Sequence, residues 1–567
     1  MISSVVMYIV RTKRKYDGKK GKKIFTAVFL RESFRENGKV KGKTIANLSH
    51  LSPRIIDALD LVLKRDGDLA DIIHLKDTLT LHEGKSVGAL LLLQHVARQT
   101  GVASALGGSR EGLLALWQVM ARMLDQGSRL SSVRLGGACA VGEVLGLQEG
   151  FTEDDLYENL HWLDAHQVKI ENALLAHRGG QKLTLCLYDV TSSYLEGTEN
   201  ELAAYGYNRD KKTGKMQIVI GLLCDAKGIP VSIQVFEGNT QDTKTMSDQI
   251  KKVAERFGAK DIVFVGDRGM IKSPQQEELR KEGFHFITAL TKPQVETLLK
   301  NGPLQLSLFD DPVTEVAGED GRRYVLRRNP VRAREIAATR ASKLRRATER
   351  CTKENAYLRE HPKADPEKAQ ERLEVYAERL KISSWVTITA ADRTLSLTEN
   401  TPAREEESQL DGCYVLVTDV PVERMDAETI HARYKDLALV ERAFRTSKQS
   451  FLEVRPLFVR TEESTRGHLL VTMLSYLLAQ RLQELWADQD CTVEEGLHSL
   501  STLSLIEVKC KGEPVFCRIP VPRARSRVLL EKAGATVPTT LNASAITVVT
   551  KKSLQKSRKM ALVSAGK

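Results

Sequence analysis

The sequence predicts a mixed α/β protein built around a central sheet with helices on its faces. Two apolar runs, 183–188 and 262–266, each stop at an aspartate, and a paired-strand pattern over 216–239 surrounds a Gly-Ile-Pro turn. Helical periodicity over 242–258 separates that pair from the second apolar run. Short apolar runs are typical of buried strands, and strands that alternate with helices form sheets covered by helices.

The chain before this sheet divides into two predicted regions. In residues 1–52 apolar and polar positions alternate, and "ENGK" at 36–39 is an Asn-Gly hairpin signal, so we predict a small basic antiparallel sheet. From 53 to 178 the apolar spacing is helical, and Thr152 followed by two acids is typical of a helix start. We therefore predict a helical region between the two sheets.

Residues 179–300 and 426–485 are predicted to form the central domain. Three strands of hairpin type are followed by helix, strand, helix and strand, which is the order of a ribonuclease-H-like arrangement. Within 301–425, strand-like pieces surround a charged helical stretch broken at "HPKADP", which predicts an α+β insertion domain. Residues 486–567 are predicted to form a C-terminal region that ends in a flexible basic tail.

The positive charge of the chain is clustered. The net charge is +12, yet residues 11–43 hold 13 Lys and Arg against 3 acids, and 322–350 hold 11 against 2. The last seventeen residues add 6 basic side chains and no acid. Clusters of this kind indicate a polyanion-binding protein, although surface charge that keeps a protein soluble is the alternative.

Composition argues against several other classes of protein. The 8 cysteines are scattered without a C-x-x-C pair, so neither a disulfide framework nor a zinc module is indicated. The longest apolar windows are too short to cross a bilayer, and the N-terminus lacks a signal-peptide pattern. We therefore expect a cytoplasmic protein without membrane partners.

Three acids are the candidate catalytic residues. In the predicted arrangement the first and fourth strands are neighbours, so Asp189 and Asp267 would meet at the edge where ligands bind. Adjacent carboxylates repel each other unless a cation lies between them. With Glu441 from a helix at the same edge, they would form an oxygen-ligand set for Mg²⁺. Two such ions can promote an in-line phosphoryl transfer by a water or a 3′-hydroxyl.

Each acid also has a purely structural interpretation. Asp189 could cap the turn at "VTSS", and Asp267 in "GDRGM" could accept hydrogen bonds within an Asx-turn. Glu441 could pair with Arg445 four residues later on the same helix. The three acids as an ordered set favour the catalytic interpretation over these separate ones.

The stretch "YKDLALVERAFRTSK" predicts one amphipathic helix. Tyr434, Glu441 and Lys448 are seven residues apart, so they would line a single stripe at the edge of a core. The apolar stripe beside it consists of Leu437, Val440 and Phe444.

Four blocks together resemble the DDE insertion-sequence transposases of the IS-four group, in particular the IS-sixteen-thirty-four branch. They are "YDVTSSYLE", "EGNTQD", "GDRGM" and "YKDLALVERAFRTSK". Tyr434, Glu441 and Lys448 match the Tyr, Glu and Lys of the family's helix motif. Leu437 stands where the family often has arginine, which removes one phosphate contact. The resemblance extends over about residues 10 to 480.

The resemblance implies a cut-and-paste DNA transposase. Such an enzyme cleaves DNA at the inverted-repeat ends of its element and joins the 3′-hydroxyls to target DNA. Asp189, Asp267 and Glu441 would hold two Mg²⁺ ions, for which Mn²⁺ can substitute. Synapsis of two ends implies a homodimer on DNA. The sheet of 1–52 and the helices of 53–178 would contact and recognise the DNA ends.

The resemblance also suggests residues that bind DNA. Lys448 and Tyr434 would hold phosphates near the cut, and Arg445 borders the same face. Arg268 is a further candidate, with a structural ion pair as its alternative. Trp385 in the insertion would stack on an extruded base, although a lone tryptophan before "VTIT" is more often a core residue.

Two other functions are compatible with these features. A nuclease or resolvase on the same fold would share the metal site but would not join strands, and flanking inverted repeats would distinguish it from a transposase. A non-catalytic DNA-binding descendant would keep the basic clusters. Pure binding requires no triad of acids, which argues against that second alternative.

Overall fold

The computed structural model describes most of the chain. The described residues are 6–18, 21–36, 39–64, 79–179, 183–209, 212–257, 261–302, 304–309, 313–318, 321–448, 451–452, 454, 457–510, 513–541 and 548. They divide into two compact units. The first unit is Met1–Gly84, Ser504–Pro520 and Pro538–Ala543, and the second is Lys85–Leu503, Val521–Val537 and Ser544–Lys567.

The described part of the chain contains strands and helices in nearly equal number. The strands are β1 (Val6–Gly18), β2 (Gly21–Glu36), β3 (Lys39–Asn47), β4 (Leu79–Ser86), β5 (Leu185–Tyr194), β6 (Gln217–Cys224), β7 (Pro230–Glu237), β8 (Val263–Gly266), β9 (His285–Ala289), β10 (Thr314–Ala317), β11 (Arg323–Arg328), β12 (Val386–Ala391), β13 (Thr394–Glu399), β14 (Cys413–Thr418), β15 (Ser504–Cys510) and β16 (Glu513–Arg518). The helices are α1 (Pro53–Lys64), α2 (Gly88–Gln99), α3 (Val102–Leu106), α4 (Arg110–Leu124), α5 (Arg129–Ala138), α6 (Val141–Leu145), α7 (Glu153–His177), α8 (Asp242–Arg256), α9 (Ser273–Lys281), α10 (Lys292–Lys300), α11 (Pro330–Glu360), α12 (Pro366–Leu380), α13 (Thr401–Ser408), α14 (Ala427–Lys435), α15 (Leu437–Lys448), α16 (Glu462–Leu485), α17 (Val493–Ser501) and α18 (Ala524–Ala533).

The first unit begins with the small antiparallel sheet that the sequence predicts. Its strands are in the order β1-β2-β3. Glu36 of β2 pairs with Lys39 of β3, so the two strands meet across the predicted Asn-Gly turn. The turn residues themselves, 37 and 38, lie outside the described residues.

A second three-stranded sheet corrects the prediction that residues 53–178 are helical. Strand β4 falls in that range and pairs with β15, which pairs in turn with β16. The packing is close: a Cβ added at Gly84 would lie 2.9 Å from the Cβ of Leu505. The prediction missed this strand because its partner, β15, is distant in the sequence.

Helices form one layer of the second unit. Helix α16 is buried along most of its length and packs against α4 and α7. A Cβ at Gly467 would lie 2.1 Å from the carbonyl oxygen of Leu160, so glycine is required for this close approach. Thr152 and Asp155 form a capping box at the start of α7, as the sequence predicts for that cap.

The C-terminal region contains one more helix than we expected. The sequence beyond about residue 525 suggests a loose segment, but α18 spans Ala524–Ala533 and buries Leu529 and Leu530. The indole of Trp486 donates a hydrogen bond to the carbonyl oxygen of Leu529 at 3.0 Å. The predicted basic tail, 551–567, lies outside the described residues.

An eight-stranded mixed sheet is the centre of the second unit. Its order is β10-β11-β14-β9-β8-β5-β6-β7. Strand β5 pairs in parallel with β8, which pairs in parallel with β9, whereas the other neighbours are antiparallel. The predicted mixed α/β architecture is therefore confirmed. Three of the strands, β10, β11 and β14, come from the range 301–425 that we assigned to the insertion.

The rest of that range has a core of its own. Helices α11 and α12 pack against the hairpin of β12 and β13, and the break between the helices falls at the predicted "HPKADP". Buried residues of this core include Leu358, Leu373, Trp385 and Ile388. Among the helices of the described residues, none combines the length and the hydropathy needed to cross a bilayer.

Candidate active site

Asp189 and Asp267 lie side by side in the central sheet. The parallel pairing of β5 with β8 ends at Tyr188 and Gly266. Asp189 follows Tyr188 within β5, and Asp267 follows Gly266 just after the end of β8. Adjacent strands are about 4.8 Å apart, so the two carboxyl groups start from neighbouring backbone positions. The structure thus brings these two predicted site residues together.

One detail of the prediction is wrong, because Asp189 does not end its strand. Strand β5 continues to Tyr194, and Asp189 itself pairs with Leu222 of β6. Strand β5 remains paired with β6 as far as Tyr194, whereas its parallel pairing with β8 ends at Tyr188. Asp189 is therefore half-buried inside a strand, whereas Asp267 is exposed in the turn after β8.

The environment of Asp189 disfavours its charged form. The pKa of the Asp189 carboxyl is raised to about 7, chiefly by burial and in addition by the negative charges of Asp267 and Glu441. The backbone N–H of Val190, which donates to Oδ1 at 2.8 Å, and the Arg209 guanidinium act in the opposite direction. The three acids therefore act on one another electrostatically.

Tyr434 contacts Asp267 directly. Its hydroxyl donates to Oδ1 of Asp267 at 3.3 Å, and the N–H of Arg268 donates to the same oxygen at 2.8 Å. Burial and the neighbouring Asp267 charge raise the pKa of Tyr434, so its hydroxyl stays protonated and remains a donor. One Asp267 oxygen is thereby oriented by two donors.

Glu441 lies on the exposed side of α15. The buried side of that helix packs against β5 and β6 through Leu437, Val440, Ala443 and Phe444. Glu441 forms no hydrogen bond or ion pair with any described residue, and the alternative pairing with Arg445 is not formed. Its carboxylate is therefore available to a ligand.

The predicted single helix over 434–448 is in fact two helices. Helix α14 ends at Lys435, Asp436 separates the two, and α15 begins at Leu437. The N–H of Asp436 bonds to the carbonyl oxygens of both Ala432 and Arg433, which is typical of a tightened last turn. Tyr434 and Glu441 therefore do not share one helical stripe.

The remaining predicted DNA-binding residues occupy different environments. Arg268 and Arg445 are exposed, and neither forms an ion pair with a described residue, so the structural alternative for Arg268 is not observed. Lys448 is buried at the end of α15. Trp385 is 1 % exposed in the core of the helical hairpin, and it lines a pocket beside Arg345. A base could stack on Trp385 only after that pocket opens.

Arg209 is a site residue that the sequence analysis missed. Its charge acts on Asp189, its guanidinium pairs with Asp242 at the start of α8, and it lies 5.7 Å from the ring centroid of Tyr207. A signal was present, because Asp242 ends the "EGNTQD" block that carries part of the resemblance. The carboxylate of Asp242 in this block indicates that a basic residue pairs with it, and that residue is Arg209.

A buried histidine anchors the helix that carries Tyr434. Arg327 Nη1 lies 2.9 Å from Nδ1 of His431, and the Tyr414 hydroxyl bonds to Nε2. The pKa of His431 is lowered to about 4, chiefly by burial and in addition by the positive charges of Arg327 and Lys435. His431 is therefore neutral at physiological pH, so its Nδ1 can accept the hydrogen bond from Arg327 while the Nε2–H donates to the Tyr414 hydroxyl oxygen.

The three acids match the oxygen donors that hard divalent cations prefer. Their mutual repulsion, visible in the raised Asp189 pKa, is of the kind that a bound cation relieves. Across the described residues, no three Asp, Glu, His or Cys side chains are close enough to form a metal site. The donor set fits a divalent metal in chemistry, and the carboxyl groups would have to move closer to ligate one.

Two adjacent aspartates at the end of the β5–β8 pairing, with a helical glutamate that acts on the first, are the arrangement expected of a DDE-class phosphoryl-transfer enzyme, and sequence comparison agrees. The family model described as "Transposase DDE domain" matches residues 180–478, more than half of the chain, so the chain belongs to the DDE transposases. The model described as "IS1634 family transposase, N-terminal domain" matches residues 9–72 and indicates the IS1634-like branch. The resemblance found in the sequence is confirmed.

Family membership establishes the general activity. The chain is a DNA transposase, an enzyme of the polynucleotidyl transferase and nuclease type, and DNA is its partner. Enzymes of this family generally use divalent metal ions.

No curated protein matches the chain. Among solved structures, one similar chain comes from the "Cryo-EM structure of piggyBac transposase synaptic complex with hairpin DNA". It has 10 % sequence identity and a TM-score of 0.34, over 78 % of this chain and 76 % of that one. A score this low supports no conclusion about shared details.

Proposed function

We propose that this transposase cleaves DNA at the inverted-repeat ends of its element and joins the freed 3′-hydroxyls to target DNA. Asp189, Asp267 and Glu441 are the proposed metal ligands, with two Mg²⁺ ions as cofactors and Mn²⁺ as a substitute. The observation that carries the proposal is the end of the β5–β8 pairing, where two aspartates are neighbours and a third acid acts on the first.

The order of the strands supports a ribonuclease-H-like arrangement for the central part of the sheet. Three antiparallel strands, β7, β6 and β5, are followed in space by the parallel strands β8 and β9. In such an arrangement the first and fourth strands present their carboxylates at one edge, as β5 and β8 do here. The helix that carries the third acid packs against β5 from one face.

The chain's own residues position the acids and the DNA. Tyr434 and the N–H of Arg268 hold one oxygen of Asp267, so its other oxygen is directed elsewhere. Arg445 and Arg268 are exposed cations beside the acids, and we assign them to DNA phosphates. Lys448 and Trp385 remain proposed DNA contacts. When bound, divalent ions would supply an activated hydroxyl and stabilise the leaving oxygen.

Further parts of the proposal concern assembly and domains. Synapsis of two ends requires two copies of the active site, so we propose a homodimer on DNA. We propose that residues 1–52 and 53–178 recognise the DNA ends, and we retain 301–425 as the proposed insertion and 486–567 as the C-terminal region. A cytoplasmic location, where the element's DNA resides in a prokaryotic cell, is part of the same proposal.

The decisive experiment separates DNA binding from chemistry. Asp267→Asn and Glu441→Gln change charge without changing size, so both variants should bind DNA that carries the element's ends in a gel shift. Both should lose Mg²⁺-dependent cleavage of that DNA, because in each variant a neutral amide replaces one of the negatively charged carboxylates that are the proposed metal ligands. Normal cleavage by either variant would sink the assignment of the site. Asp261→Asn, an exposed acid before β8, is a matched control and should cleave normally.

A further inference from the structure

Two arginines on one face of β11 hold helix α14 against the central sheet. Side chains alternate between the two faces of a strand, so Arg323 and Arg327 point to the same face. Nη1 of Arg323 donates to the carbonyl oxygens of Val420 and Met425, at 2.7 and 2.9 Å, in the segment just before α14. Arg327 donates to Nδ1 of His431, in the middle of that helix. Strand β11 therefore fixes both the approach to α14 and the helix itself.

Tyr414 supports His431 from the neighbouring strand. It lies directly opposite Arg327 in the antiparallel pairing of β11 with β14, so both side chains reach the same face of the sheet. The Tyr414 hydroxyl is hydrogen-bonded to Nε2 of His431, and the two rings stack with their centroids 5.9 Å apart. His431 is 4 % exposed, so little water can reach its ring to replace either partner. One residue from each of two adjacent strands thus holds the imidazole.

Helix α14 connects this support to the candidate active site. His431 and Tyr434 are three residues apart, which makes them neighbours on one side of the helix. The helix contacts β8, β9 and β11, so it crosses from a strand of the range 301–425 to the strand that precedes Asp267. The Tyr434 hydroxyl donates to Oδ1 of Asp267 at 3.3 Å. The pKa of Tyr434 is raised, chiefly by burial and next by Asp267, and Tyr414 is close enough to add to the effect.

We propose that Arg327 and Tyr414 are positioning residues for DNA cleavage. Through His431 they fix α14, and α14 holds the Tyr434 hydroxyl on Asp267. Their influence on this carboxyl group passes through the helix, because their side chains contact His431 and not the acids. Two strands of the predicted insertion therefore orient a carboxylate of the central domain. The inference rests on the proposed function, in which that carboxylate is a metal ligand.

The first test is Tyr414→Phe, which removes the hydroxyl and keeps the ring. Single-turnover, Mg²⁺-dependent cleavage of DNA that carries the element's ends should become about fivefold slower, the equivalent of one ordinary hydrogen bond. The Kd for the same DNA, measured with EDTA present, should not change. Tyr324→Phe makes the same substitution on the other face of β11, in the sheet core, and should cleave at the wild-type rate. A Tyr414→Phe rate equal to that of the wild type would overturn the proposal.

A double-mutant cycle tests the path through Tyr434. If Tyr414 acts through Tyr434, then Tyr414→Phe should not slow cleavage further in a protein that already carries Tyr434→Phe. Independent effects, including a general loss of stability, would give the same fivefold reduction in both backgrounds. That result would refute a positioning role for Tyr414.

Hydrogen exchange of the metal-free protein gives a measurement that does not depend on cleavage. In Tyr414→Phe the backbone amides of α14 should exchange about fivefold faster, because opening the helix then breaks one hydrogen bond fewer. Helix α9, which contacts α8 and β9, should exchange as in the wild type. Unchanged exchange in α14 would show that Tyr414 does not hold this helix, and the proposal would fail.

The outcomes distinguish this inference from the proposed function. If Asp267→Asn lacks cleavage while Tyr414→Phe cleaves like the wild type, the positioning proposal fails and the catalytic assignment stands. If Asp267→Asn cleaves normally, the catalytic assignment fails, whatever the exchange rates of α14 are.

Discussion

Protonation of His431 should destabilise the protein in mild acid. The side chain accepts the hydrogen bond from Arg327 of β11 while it is neutral, and it also faces the Tyr414 hydroxyl from β14 and Lys435 on its own helix. Its pKa is about 4 in the folded chain, against an ordinary value of about 6.5 in the unfolded chain. Between these values the unfolded chain binds a proton that the folded chain does not, so acid favours unfolding.

The size of the effect follows from the two pKa values. The shift from about 6.5 to about 4 corresponds to about 3 kcal/mol in all, of which about 2 kcal/mol of unfolding free energy is lost between about pH 7 and about pH 5. Solvent screening of the nearby charges lowers this to about 1 kcal/mol. The stability due to neutral His431 is fully present above about pH 6.5 and declines as the pH falls toward about 4.

Urea unfolding at a series of pH values measures this directly, with His431→Gln as the comparison. Glutamine keeps a hydrogen-bond acceptor but does not titrate in this range. The wild type should therefore lose about 1 kcal/mol more than the variant between about pH 7 and about pH 5. Parallel pH profiles for the two proteins would refute the argument, and His95→Gln, at a site with no such arginine contact, is a control for histidine loss.

Three other substitutions test separate parts of the structure. Tyr434→Phe removes the hydroxyl that donates to Asp267, so it should lower the single-turnover cleavage rate about tenfold with little change in DNA affinity. A cleavage rate equal to that of the wild type would argue against a positioning role for Tyr434. Arg445→Gln should weaken DNA binding equally for all sequences and lower the salt dependence of log Kd by about 1; a sequence-dependent loss would contradict a phosphate contact. Gly467→Ala should lower the unfolding free energy, measured by calorimetry, by about 3 kcal/mol or more, because the new methyl group collides with the Leu160 carbonyl. No loss of unfolding free energy would mean that α16 and α7 can move apart at this contact.

The sequence predicted those parts of the site that depend on neighbouring strands. Asp189 and Asp267 each follow an apolar run, and the order of strands and helices was enough to place those runs side by side. The residues with raised or lowered pKa values were not predictable in the same way. His431 is neutral only because Arg327 and Tyr414, distant in sequence, lie against it.

Other features depend on tertiary context that a local pattern does not contain. The apolar stripe of 437–444 continues without interruption toward Tyr434, so periodicity predicted one helix, and only the backbone bonds at Asp436 reveal two.

The pairing of β4 with β15 has a consequence for synthesis of the protein. The two strands are roughly four hundred residues apart in the chain. At ordinary translation rates β15 therefore leaves the ribosome about 20–80 s after β4. During that interval β4 has no partner strand. A chain that is terminated before residue 504 never receives one, so β4 is completed into a sheet only in transposase molecules that have been translated past β15.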